Sequence, residues 1–164
     1  MNKNLILATV IFGFLGYWAF IRKDAMDREL KFQSKTYKLS KTYDGGGVKN
    51  FFYTEVGKDL NRSLEFLQLL TFQDEYPDTL RKSSFQNIAN TYGLKESGQE
   101  GEFFGTAQRN SVNTASFAAI VKIKGKSQYL IYVKVKDAPT DPQTLNNEAP
   151  ELLGAIKAVE KQLN

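Results

Sequence analysis

Lysines and carboxylates are the side chains with the most chemistry to offer in this chain, because its 164 residues include neither histidine nor cysteine. That composition removes histidine-based triads, imidazole metal sites, thiolate nucleophiles and structural zinc. No Ser-x-x-Lys spacing occurs to replace them. The paired acids Asp24 with Asp27 and Asp74 with Glu75 sit in polar stretches and read as solvated charges. Asp44-Gly45-Gly46-Gly47 is glycine-rich, yet it leads into an aromatic, strand-like run instead of a helix. It therefore reads as a turn and not as a phosphate cradle, and one carboxylate is too few for a calcium loop. No catalytic, cofactor-binding or metal-binding residue is assigned, and the chain is read as a non-enzyme.

Two groups of side chains remain as candidates for binding. Lys122, Lys124, Lys134 and Lys136 recur at alternate positions of two strand-like runs, with Lys126 at the turn between them. The pattern predicts a lysine-rich sheet face able to meet an anionic ligand, a lipid headgroup or an acidic polymer. The same pattern serves equally as a solvated face that discourages edge pairing. Aromatic rings are not interleaved on it, so nucleic acid is not expected. Leu69 and Phe72 fall on the far side of a stretch that reads as an apolar helix, where a partner surface or the domain's own core would have to cover them.

The elements that position these residues follow from periodicity. Thr36–Tyr43 and Asn50–Val56 alternate or are rich in aromatic residues and predict strands, with Tyr37, Leu39 and Lys41 on one side of the first. Lys58–Phe72 carries Leu60, Leu64 and Leu67 at helical spacing and predicts a helix. A second helix starts at Tyr76-Pro77-Asp78 and stops at Gly93. Glu102–Gln108, Thr114–Lys124 and Gln128–Lys136 predict three more strands. Asp137–Asn147 reads as a loop, and Glu148–Leu163 as a closing amphipathic helix. The order is ββ-αα-βββ-α, an α+β domain with helices on one face of a mostly antiparallel sheet.

Ahead of this domain, Leu5–Ile21 holds seventeen residues without a charge. As a helix it would cover roughly 26 Å, close to the lower limit for a hydrocarbon core. Tyr17, Trp18, Arg22 and Lys23 follow in the order expected at a membrane interface. The sequence predicts residues 1–21 as tail and single-pass anchor, 22–35 as a juxtamembrane helix or linker, and 36–164 as one globular domain. Thr9, Gly13 and Gly16 form a strip of small residues suited to close helix packing in lipid. The lysine before the apolar run favours an exported, periplasmic domain over a cytoplasmic one. The expected function is an accessory or assembly protein that binds another membrane or envelope protein. The alternative is an anchored domain that captures an anionic ligand on the lysine face.

Overall fold

A period of two, not the helical period, governs Glu65–Phe72. Leu67 and Leu69 are buried on one side of this segment, and Leu70 and Phe72 on the other. A strand covered on both faces shows an unbroken apolar run, which in sequence imitates an all-round apolar helix. The expected helix over Lys58–Phe72 is therefore a loop followed by a strand. This strand sits fourth in an eight-stranded sheet.

The computed structural model describes residues 26, 28–109, 111–135 and 137–164. The strands are β1 (Leu30–Phe32), β2 (Lys35–Gly45), β3 (Val48–Glu55), β4 (Glu65–Phe72), β5 (Leu94–Glu96), β6 (Glu102–Arg109), β7 (Val112–Ile123) and β8 (Lys126–Lys134). Helix α1 (Asp78–Tyr92) follows β4, and α2 (Pro142–Leu163) closes the chain. The sheet order is β1-β2-β3-β4-β8-β7-β6-β5, and every neighbouring pair is antiparallel. The sheet curls into a half-barrel. Three strands separate β1 from β8, yet the rings of Phe32 and Tyr132 stand 4.6 Å apart.

Helix α2 fills the concavity. Leu145, Ala149, Leu152, Leu153, Ile156, Val159 and Leu163 recur three or four apart and are all buried. Each of the larger ones contributes about 1.5–3 kcal/mol relative to exposure. Asp141 caps the helix, its carboxylate accepting from Thr144 N–H at 2.8 Å. Helix α1 lies on the opposite face, where Phe85 stacks on Tyr129 at 3.9 Å. It ends at Gly93 in the left-handed conformation (φ 67°). A Cβ on Gly93 would overlap the Thr106 carbonyl, and one on Gly105 would overlap the Gly93 carbonyl. Only glycines let this corner lie so close to β6.

Several expectations are corrected. The order is ββββ-α-ββββ-α, and the two helices occupy opposite faces of the sheet. Leu30–Phe32, expected within a juxtamembrane helix or linker, form β1. Pro142–Asn147, expected in a loop, form the first turns of α2, since proline fits the opening of a helix. The expected membrane-spanning helix is not found among the described residues: none of their helices is long and apolar enough to cross a membrane. Leu5–Ile21, Thr9, Gly13 and Gly16 lie outside the described residues.

Candidate functional site

The predicted lysine stripe divides between the two faces. Lys134 pairs with Ala115 and lies on the α2 face, where it meets Glu148 at 3.3 Å. Lys122 pairs with Ser127 and lies on the α1 face. Lys124 is at the hairpin turn, Lys126 is engaged by Asp74, and Lys136 lies outside the described residues. The division has a simple cause. Phe117, Ala119 and Val121 on β7 face α2, whereas Ile131 and Val133 on β8 face α1. A sheet covered on both sides leaves no single outer face there for these lysines to share. Leu69 is fully buried against α2. Phe72 is buried on the other face, with the Tyr76 ring 5.5 Å away, the Tyr129 ring 6.1 Å away and the Arg81 guanidinium 5.7 Å from its centre. Both are core positions as the fold places them.

The densest group of titratable side chains lies at the mouth of the half-barrel. Glu65 of β4 accepts from Lys35 of β2 and, at 2.7 Å, from the Tyr132 hydroxyl of β8. The buried Tyr37 hydroxyl feels the same carboxylate without reaching hydrogen-bond geometry. Lys134 and Glu148 stand beside them around a cleft of about 320 Å³. Burial pushes the Glu65 carboxyl up, but the hydrogen bonds from Lys35 and Tyr132 outweigh it and hold its pKa below the ordinary value of 4.5. Burial and the Glu65 charge push both tyrosine hydroxyls well above the ordinary phenol value. A general base works best with its pKa near the working pH. The hydrogen bonds of Glu65 join β4 to β2 and β8. Among the described residues no group of three or more acidic side chains could hold a metal ion.

A different surface stands out on the α1 face. Helix α1 packs over β5, β6 and β7, away from the outer halves of β2 and β3. A β-bulge at Ser40 shifts the register of β2 between Leu39 and Lys41. Beyond the bulge, Lys41 and Tyr43 turn to the α1 face, which also carries Lys31 and Lys38. From Tyr43 a row of rings crosses the strands: Phe52 at 5.6 Å, then Phe66 at 6.0 Å, then Tyr92 of α1 at 6.3 Å. Tyr43 is 48% exposed, and Phe52 and Phe66 are half-buried. Beneath the row the Gln68 amide donates to Asn50 Oδ1 and accepts from the Tyr92 hydroxyl, both at 2.8 Å. Lys41 Nζ sits 4.6 Å from the centre of the Tyr43 ring. Val56 and Leu64, just beyond β3 and just before β4, are exposed as well. Because α1 stands on the sheet and its Tyr92 ring meets Phe66, the row runs up a step from open strand to helix, and this step is the aromatic groove.

Sequence reasoning missed this groove for two reasons. It placed Phe66 on a helix, and it aligned Lys41 with Tyr37 and Leu39. Strict alternation carries no mark of a bulge, although Tyr43 and Phe52 fall within the two expected strands Thr36–Tyr43 and Asn50–Val56. The sheet face that holds the rings carries three lysines and, over β1 to β4, no aspartate or glutamate among the described residues. No protein-family model, no curated protein and no solved structure matches this chain.

Proposed function

We propose that this protein is a non-enzymatic accessory protein that works by binding another protein, with the aromatic groove beside α1 as its recognition surface. One observation carries the reading: the row Tyr43, Phe52, Phe66 stays half-open on the strands beside α1. Contiguous exposed apolar surface on a folded domain is costly and marks interaction sites. Tyrosine and other aromatics concentrate binding energy because they offer large, stiff contact area. The charge-free stretch Leu5–Ile21 favours a membrane or envelope protein as the partner.

The test uses the full chain in its native cells, with amine-reactive crosslinking before detergent extraction. The expected result is one discrete adduct with the natural protein and its loss in Tyr43→Arg. Tyr43 is an exposed position, and the variant is expected to keep the same unfolding midpoint. A chain recovered strictly as a monomer, with no adduct before or after substitution, overturns the reading.

A further inference from the structure

We infer that the groove takes an extended protein segment bearing both carboxylates and apolar side chains; this rests on the proposed binding role and names the partner's chemistry. The charge pattern carries the inference. Lys31, Lys38 and Lys41 share the face that holds the rings, and among the described residues no carboxylate ion-pairs with any of the three. Elsewhere in the fold most strand lysines are neutralised locally: Lys35 by Glu65, Lys49 by Asp44, Lys126 by Asp74 and Lys134 by Glu148. Unpaired lysines on the β1–β2 side of an apolar strip are complementary to an acidic, apolar segment and repel a basic one.

The shape of the site chooses among anionic partners. A nucleic acid needs flat ring faces for base stacking. Here the Tyr43 and Phe52 rings meet edge-on at 85°, and Lys41 occupies a face of Tyr43. A lipid surface would need rings that protrude, whereas Phe52 and Phe66 are half-buried and the Phe66 ring meets Tyr92 of α1. A half-buried row of rings over hydrogen-bonded amides fits a peptide chain whose apolar side chains rest between the rings. Its carboxylates then reach the flanking lysines.

A photo-reactive phenylalanine analogue placed at Tyr43 of the full chain, in its native cells, tests this directly. Mass spectrometry identifies the crosslinked segment, and the expected result is a segment of net negative charge containing apolar residues. The charge reversals Lys38→Glu and Lys41→Glu should each lower the adduct yield roughly tenfold, as expected for losing a close interfacial charge pair. Lys41→Arg should retain it, and Lys122→Glu, remote from the groove, should leave it unchanged. A neutral or basic segment, or a protein adduct indifferent to both reversals, overturns this inference while leaving the binding role standing. A lipid adduct, or no adduct at all, overturns both. Unfolding midpoints of the reversed variants are measured alongside. If either is unfolded, Lys38→Gln and Lys41→Gln replace them, with a severalfold loss expected and no loss counting against the inference.

Discussion

The side-chain amide of Gln162 makes to Lys31 both hydrogen bonds that a neighbouring strand would make. Its oxygen accepts from the Lys31 N–H at 2.7 Å, and its nitrogen donates to the Lys31 carbonyl at 2.7 Å. Lys31 is the middle residue of β1, the short edge strand. The last turn of α2 thus closes an edge that would otherwise invite pairing with another chain. The same turn serves β7, where Glu160 accepts from Lys122 N–H at 2.8 Å and the Asn164 amide donates to the Lys122 carbonyl at 2.8 Å.

Replacing Gln162 with leucine removes both bonds to Lys31 while keeping the side-chain size. The expected loss is about 1–2 kcal/mol, since each net hydrogen bond is worth about 0.5–1.5 kcal/mol. Urea unfolding measures it. Gln162→Glu keeps the acceptor and loses the donor, so its midpoint should fall between the other two. Equal stability of all three would show that the amide does not hold the edge.

Acid should act through Glu65. Its folded pKa is lowered below 4.5, so its contribution is present above that pH and is lost as pH falls through the folded value. Glu65→Gln should therefore be less stable than the natural chain at neutral pH and lose less on acidification. Unfolding midpoints between pH 3 and pH 7 give the comparison (approximate bounds set by the carboxylate range). At the alkaline end the sign is opposite. Tyr37 and Tyr132 have raised folded pKa values, so their contribution is complete below the unfolded value of 10.0 and declines above it.

Leu69 and Phe72 are core residues in this fold, so Leu69→Ser with Phe72→Ser should cost at least about 4 kcal/mol, by the scale of large-to-small core substitutions. A loss of that size is a large part of the stability of a domain. Tyr43→Ser, on the open groove, should stay within about 1 kcal/mol of the natural chain. Denaturant titration separates the two outcomes. A double variant that stays as stable as the parent would place those side chains outside the core.

The β7–β8 hairpin turns through Lys124 and Gly125, with φ of 50° and 78°. Two positive φ values make a primed turn, and Asn-Gly is its preferred dipeptide. Lysine has no side-chain compensation for the left-handed region, so Lys124→Asn should stabilise the chain by about 0.5–1 kcal/mol. The bond from Lys124 N–H to the Asn164 side-chain Oδ1 at 2.7 Å uses only the backbone of Lys124 and survives the change. An upward shift of the urea midpoint is the expected reading, and a downward one contradicts the turn assignment.

The groove and the fold were legible in unequal degree. Residues 114–134 read as a hairpin because β-branched alternation and Gly125 act within a few residues of each other, although Lys126, expected at the turn, opens β8. Helix α1 was readable from Pro77 and Gly93, which punctuate it locally. The absence of histidine and cysteine, and the chemistry this excludes, is a property of composition and needs no structure. Other features depend on what lies across the sheet. Glu65–Phe72 is a strand because β3 and β8 pair with its two edges and apolar layers cover its two faces. An isolated segment of that composition satisfies a buried helix equally well. Lys122 and Lys134 part company because register assigns faces, and one residue of register reverses every side chain. The bulge at Ser40 does the same to Lys41 and Tyr43, and so creates the groove. Local chemistry determined turns, caps and excluded reactions; long-range pairing decided which side chains share a face, because a strand's two faces are defined only by what packs on each.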